Sequence, residues 1–512
     1  MRYLSTFGLL ILLIFWSSCR SDFETVESTG NLKFSTDTVF LDTVFTTISS
    51  ATYALKVYNR TNEDLNIPSI SLKKGEASAY RLNVDGVPGK SFMDMEVLAN
   101  DSIYIFIETT VNLQQRDQPE FIYEDHLQFR SENHLQEIPI LTLVKDAIFL
   151  YPKKDGNGII ETIPTGTNEL GEEVRVQGFY LNDEQLNFSN EKPYVIYGYA
   201  AVPSGKTLNI APGARVHFHS ESGIIVSENA SLHVNGTFSI DREKLENEVI
   251  FQSDRLESQF QEIPGQWGAI WIQEGSVENM INYTTIKNAS IGLLVNGDTT
   301  KAAPSLQLKN SQIYNSSVNG IRATNAKLFA ENLVVNNSGQ ASVQILGGNY
   351  IFKHATLANY WQQGYREYPA VYLQNFRETK NGLEIFDLDL AKFSNCIIFG
   401  NENNELFYYR TEEADFNLHL ENCLIKFDDP SAIDDPLYDF NNPDYYQNII
   451  LNENPYFWNP LDNNFSLQKS SPAIDVGNLS TAMEVPKDLL QNDRTDNPDL
   501  GAYEWITSQN EE

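Results

Sequence analysis

Cysteine is nearly absent from this chain of 512 residues, with three in all, at positions 19, 396 and 423. That excludes a disulfide-stapled scaffold, which needs an even set of closely spaced cysteines, and it leaves no zinc-finger spacing. Basic residues are also scarce: 36 Lys and Arg stand against 69 Asp and Glu, for a formal net charge of −33. A field of that sign repels nucleic acid and anionic membrane, so neither is an expected partner. Long apolar runs are missing too. The longest, Phe7 to Trp16, is interrupted only by Gly8 and is too short to cross a bilayer core of ~30 Å. What remains is globular material, 41% hydrophobic and 12% aromatic, enough for two or three domains.

The amino-terminal run follows Arg2 and closes on Ser17-Ser18-Cys19, the layout of a signal peptide over 1–19. Small residues directly before a cysteine resemble a bacterial lipobox, in its looser Bacteroidetes form because Trp16 replaces an aliphatic residue. The resemblance implies lipidation at Cys19 and an anchor in the outer membrane. Asp22 and Glu24 look like surface-export signals of that group, implying exposure at the cell surface. Residues 20–30 are polar and read as a tether.

From 31 to 150 the chain alternates apolar and polar residues in short Val-, Phe-, Tyr- and Thr-rich runs. Turn signals such as Asp85-Gly86 and Asn100-Asp101 separate them. Strands at this spacing predict a β-sandwich, most simply an immunoglobulin-like one. Residues 151–192, rich in Gly, Asn and Glu, read as a linker.

An internal repeat dominates 193–470. "LQLKNSQIYN" (306–315), "LFAENLVVNN" (328–337), "YIFKHATLAN" (350–359), "AKFSNCIIFG" (391–400) and "LHLENCLIKF" (418–427) share one template, and "NMINYTTIKN" (279–288) is a weaker copy. The template is apolar, x, apolar, x, Asn, small or apolar, x, aliphatic, with His354 in the Asn slot of the third copy. Its aliphatic position falls at Ile286, Ile313, Val335, Leu357, Ile398 and Ile425, at spacings of 27, 22, 22, 41 and 27. Roughly twenty-odd residues make one turn of a parallel β-helix, with surpluses extruded as loops. The 41-residue step accommodates one long loop or an extra rung. Rungs ~4.8 Å apart would stack Leu308, Ile313, Leu333, Val335, Leu357, Ile398 and Ile425 into ladders in the bore. Cys396 and Cys423 share a template position and should stack there as buried thiols. Asn288, Asn315, Asn337 and Asn359 should form a corner ladder. The fold class is therefore all-β: a parallel β-helix preceded by an immunoglobulin-like β-sandwich. The Pro-Gly turns and Trp267-Gly268 upstream are similar to the opening rungs of right-handed β-helix repeat proteins, which implies a right-handed coil.

Residues 471–505 carry a second likeness. "SPAIDVG" (471–477) and "DLGAYEW" (499–505) resemble the choice-of-anchor Q type C-terminal domain, with Gln491 a departure from the usual Gly before Arg494. The resemblance implies a terminal cap for the coil. Asp475, Arg494, Asp499 and Glu504 are read as turn-holding side chains.

No catalytic signature is visible. His217 and His219 share a strand face in "RVHFHSE", but the inward alternates are Val216 and Phe218, so both histidines, like His233 and His419, read as solvated. Asp387, Asp389, Asp428, Asp429, Asp434, Asp435 and Asp439 make calcium the one candidate cofactor, without a regular calcium-loop spacing. Aromatics on loops, Trp361, Tyr365, Tyr368, Tyr372, Tyr445 and Tyr446, are candidates for stacking on sugar rings. The reading is a non-enzymatic surface lipoprotein whose coil binds carbohydrate or envelope proteins. The alternative is a polysaccharide lyase or glycoside hydrolase acting on the coil's groove.

Overall fold

The computed structural model describes residues 25–112, 120–167, 171–380, 382–432 and 435–506. Cys19 and Asp434 lie outside them. No helix among the described residues is long and apolar enough to cross a membrane. The chain divides into two compact units, 1–145 and 146–512.

The first unit is two sheets around one core. One sheet runs in the order Val26–Glu27, Leu65–Leu72, Glu120–Arg130, Leu135–Lys145, Val39–Phe45, with Ser91–Val97 also on Leu65–Leu72. The other runs Lys33–Phe34, Tyr53–Tyr58, Ser102–Thr109, Tyr80–Val84, Val87–Gly89. Alternation, interrupted once at Pro68-Ser69, sends Ile67, Ile70, Leu127 and Phe129 inward from the first sheet, and Leu55, Val57, Ile105 and Ile107 from the second.

The second unit is a parallel β-helix. Each strand pairs in parallel with its equivalent one turn later, so three columns of strands wind around one apolar bore. One column begins Ile148–Leu150, Tyr194–Ile196, Arg215–Phe218, Val249–Ser253. A second begins Glu173–Tyr180, Tyr199–Val202, Gly223–Val226, Trp267–Ile272. The third begins Asn187–Phe188, Thr207–Ile210, Ser231–Asn235, Met280–Asn282.

The repeat register is borne out pair by pair. Ile286 sits on Ile313, Ile313 on Val335, Val335 on Leu357, Leu357 on Ile398 and Ile398 on Ile425. The core positions named from the template are fully buried. Because Leu357 pairs directly with Ile398, the 41-residue step is one turn with extruded loops, one of them the hairpin Phe376–Thr379/Gly382–Ile385. Cys396 and Cys423 are free and buried on adjacent rungs, and burial, then each other's company, pushes the Cys423 thiol well up. Alkylating reagents should therefore label neither cysteine until the protein is denatured. Fast labelling of the native protein, read by mass spectrometry, would contradict this packing.

The asparagine ladder is more continuous at a different corner. Tyr283, Asn310, Asn332, His354, Asn395, Asn422 and Asn448 all take left-handed backbone at equivalent places on successive turns. Asn332 Nδ2 donates to Asn310 Oδ1 at 2.8 Å, and Asn448 Nδ2 to Asn422 Oδ1 at 3.3 Å. At the expected corner Asn288, Asn315 and Asn337 are left-handed, and Asn337 donates to Asn315 at 2.7 Å. Asn359 is not left-handed: the chain leaves the coil after it for a loop, and its amide caps the carbonyls of Ser338 and Gln340 instead.

His354 holds the Asn slot as expected, fully buried, with Asn395 Nδ2 donating to its Nε2 at 2.9 Å. Burial, then the nearby Arg494, holds its pKa well below the ordinary 6.5. The unfolded chain therefore binds a proton that the folded chain refuses. Stability from this site is full above about pH 6.5 and falls as the pH drops below it, by up to about 1.4 kcal/mol per pH unit. His354→Asn should flatten that dependence between pH 6.5 and 5 in urea titrations, since Asn serves at the same slot above and below. An unchanged slope would assign the acid sensitivity elsewhere.

Four boundaries differ from the sequence reading: Val26–Glu27, in the expected tether, pairs with Leu65–Leu72, and Ile148–Leu150, in the expected sandwich, pairs with Tyr194–Ile196 in the coil. Residues 151–192 are not a linker: Glu173–Tyr180 and Asn187–Phe188 pair with Tyr199–Val202 and Thr207–Ile210 as the opening turn. Polar composition misled there because an end turn has solvent on its outer faces. Nor does the C-terminal segment close the coil's end. Phe457, Phe465, Leu467, Ala473, Leu489, Leu500 and Ala502 pack on Val334, Ala358, Ile397 and Leu424, the outward residues of one flank. Donors from the coil bind this strap along its length: Asn332 Nδ2 to Lys487 O, Asn395 Nδ2 to Asn478 O and Asn422 Nδ2 to Val476 O. Inside the strap Arg494, Asp499 and Glu504 hold turns as expected, while Asp475 contributes its backbone N–H. Asp499 accepts from the backbone N–H of Asp475 and Trp505, and buried Arg494 pairs with Glu504 at 3.1 Å.

Candidate functional site

The aromatics singled out on loops do not converge. Tyr446 is buried and bonded through its hydroxyl to Tyr408, so it cannot meet a ligand. Tyr445, Phe427, Tyr438 and Phe440 pack beside it against the core. This aromatic group fills the C-terminal end of the bore, a role that the acidic sequence around Asp444 concealed. Trp361 is half-buried beside Gly339, and its carbonyl accepts from Asn401 Nδ2. Tyr365 is 87% exposed and isolated. Tyr368 packs edge-on against Tyr372, which faces outward on the second column above Phe407. The aspartates do not meet either. Among the described residues no three His, Cys, Asp or Glu side chains gather as metal ligands. Asp429 and Asp435 cap local turns, and Asp387 accepts from the Asp415 backbone.

The groove that does form lies near the other end of the coil, on the outer face of the second column. Its volume is about 1100 Å³. Arg175, Tyr197, Tyr199, His219, Glu221, Trp267 and Trp271 line it, over a floor that includes Gly198, Gly265 and Gly268. The alternation of the strands explains the lining. Ile224, Ile270 and Leu293 point into the bore, so their neighbours Ile225, Trp271 and Leu294 stack outward on successive turns. Glycine is required in this face. A Cβ on Gly223 would lie 2.6 Å from the Tyr199 ring, and one on Gly268 would lie 2.1 Å from its hydroxyl, so the tyrosine can lie flat only over glycines. Trp271 is fixed by Nε1 donating to Asn296 Oδ1 at 2.8 Å. Trp267, beneath, stacks on Phe218 at 4.3 Å and donates to Lys287 O.

Polar groups ring this apolar floor. Arg175 is committed: it binds Glu173 at 2.7 Å and both the hydroxyl and the carbonyl of Thr162. His219 Nδ1 lies 2.8 Å from Asp254 Oδ2, and its ring stacks on Tyr197 at 4.5 Å. The bond to Asp254 raises the His219 pKa, against burial and the charge of Arg255. Burial, then Asp254, pushes the Tyr197 phenol up to about 12, so it stays a neutral hydroxyl.

The histidines thus differ from their sequence reading. Val216 and Phe218 do point inward, but His217 is itself buried, with Nδ1 2.9 Å from Ser253 O. His219 is half-exposed in the groove rather than simply solvated. Outward residues of a coil are covered where the end of a neighbouring strand reaches over them, as Ser253 and Asp254 do here. The partner Asp254 was findable only by aligning "RVHFH" with "VIFQSD" at the 35-residue step that sets Val216 on Phe251.

No protein-family model matches the chain, and no curated protein matches it. Among solved structures, one similar chain is a family 123 glycoside hydrolase from Clostridium perfringens, described for glycolipid glycan hydrolysis. It is 8% identical over 22% of this chain and 26% of that one, with a TM-score of 0.16. Another is the periplasmic alginate epimerase AlgG, 7% identical over 61% of this chain and 88% of that one, with a TM-score of 0.19. The present chain spans about a quarter of the hydrolase.

Proposed function

We propose that this protein is a lipid-anchored envelope protein that holds a neutral glycan in the groove of its β-helix. The carrying observation is the groove itself: flat aromatic faces at Tyr199 and Trp271, with hydrogen-bonding groups at His219, Glu221 and the Tyr197 hydroxyl around them. Apolar faces for C–H surfaces, rimmed by a few polar groups for hydroxyls, are what a sugar ring needs. A net charge of −33 disfavours polyanionic ligands, and Arg175 is already paired with Glu173.

The anchor reading rests on the signal-like start and Cys19, and places the protein in the outer membrane of a Bacteroidetes-type envelope, facing outward. Within it, an immunoglobulin-like sandwich precedes in sequence a coil taken as right-handed, the sense of nearly all parallel crossovers. The terminal strap is a choice-of-anchor Q-like element.

Two measurements test this. Titrating the mature chain with neutral oligosaccharides should change tryptophan fluorescence, and Trp271→Ala should weaken binding about tenfold, equivalent to about 1.4 kcal/mol. Absence of binding across gluco-, manno-, galacto- and xylo-oligosaccharides would sink the glycan reading. Cys19→Ala should abolish palmitate labelling and release the protein in soluble form; continued labelling would sink the anchor.

A further inference from the structure

His219 and Asp254 occupy the same place on neighbouring turns, one residue beyond the paired Phe218 and Ser253. Their exposures are opposite: the Asp254 side chain is 3% exposed and that of His219 48%. A buried carboxylate bonded to Nδ1–H fixes the tautomer, so the neutral ring offers the lone pair of Nε2. Nε2 has no hydrogen-bond partner among the described residues, and stacking on Tyr197 sets the ring plane. The next residues add a second feature. The turn 219–222 closes through Ser222 N–H to His219 O at 3.2 Å, with Glu221 in left-handed backbone at φ 56°. The N–H groups of Ser220 and Glu221 within that turn have no acceptor among the described residues, and both residues line the groove. An oriented base thus sits one residue from two free backbone donors.

We infer that His219 is the general base of a hydrolytic site that removes O-acyl esters from a glycan held in the groove; this rests on the carbohydrate reading above. Nε2 takes a proton from water as the water oxygen bonds to the acyl carbon, and the carbonyl electrons move onto oxygen, toward the free N–H groups. Collapse breaks the bond between the acyl carbon and the sugar oxygen, which takes the proton back from Nε2. The products are a sugar hydroxyl and a carboxylic acid, and water is the one co-reactant. Most glycosidic cleavage uses two flanking carboxylates, whereas Glu221 is the single carboxylate among the groove's lining residues.

The base must be neutral, so the rate should rise with pH and level off above the pKa of His219. Asp254 holds that value up, Arg255 opposes it, and Glu221 and Arg175 share the groove. Asp254→Asn should move the limb to lower pH and lower the plateau.

Acetylated and deacetylated manno- and xylo-oligosaccharides, given to the mature chain, provide the test. Acetate release at saturating sugar should fall about 100-fold or more in His219→Gln, far beyond the weakening that the same variant causes in affinity for the deacetylated sugars. Equal release by both proteins, or no release from acetylated sugars that bind, would overturn the esterase and leave the groove's glycan reading intact. His219-dependent hydrolysis of a small aryl acetate without any sugar binding would overturn that reading and the substrate with it. Neither binding nor hydrolysis would remove both.

Discussion

Glu405→Ala should cost about 3–5 kcal/mol of unfolding free energy, because it strands a guanidinium inside the coil. Arg366 enters from the loop after Asn359, and its side chain is 1% exposed against 0% for Glu405. Its Nη2 donates to Glu405 Oε1 at 2.7 Å and its Nη1 to Oε2 at 3.0 Å. The same carboxylate accepts from the backbone N–H of Ala370 at 2.7 Å and of Glu402 at 2.9 Å. Four donors lose their acceptor at once, and methyl is all that replaces it. Arg366→Met combined with Glu405→Leu should be far milder, since no charge is left behind. Urea midpoints at constant m-value decide this; a cost below about 1 kcal/mol for the single variant would mean that water reaches the pair.

Trp267→Ala should lose a similar amount, about 3–5 kcal/mol, and take the groove with it. The indole is 1% exposed, the largest of the fully buried side chains, and stands between the bore and the groove. Its loss removes the stack on Phe218 and leaves the Lys287 carbonyl without its donor. The wall on which Tyr199 and Trp271 rest should then slump, so glycan affinity should fall well beyond the tenfold expected for Trp271→Ala. Chemical denaturation and titration of the same preparation check both halves. Normal affinity in a destabilised variant would separate the groove from its backing.

The coil was legible in the sequence because its chemistry repeats. Every turn must refill one bore, so Ile286, Ile313, Val335, Leu357, Ile398 and Ile425 recur at a place fixed by the strand before them. The thiols at Cys396 and Cys423 followed from that register. The groove was not legible, since outward positions carry no such constraint. Tyr446 and Trp361 have the composition of sugar-binding residues, yet the first fills the bore's end and the second packs beside Gly339. His219 and Asp254 lie 35 residues apart, and only the pairing of Phe218 with Ser253 brings them together. The strap was misplaced for a related reason. Its turn motifs describe its internal bonds, such as Arg494 to Glu504, whereas its docking depends on the coil's Asn332, Asn395 and Asn422.

A solenoid in which each turn touches only its neighbours can fray from either end, one turn at a time. The strap changes that here, because one continuous segment grips turns from Asn332 to Asn422. Losing any of those turns means losing part of the strap, so the middle of the coil should open as one unit in hydrogen exchange. There is also a consequence for biogenesis. The strap follows every turn of the coil in the chain, and until it is made Val334, Ala358, Ile397 and Leu424 have no cover. Placing the closing contact after every turn in the sequence gives the coil a built-in delay in folding.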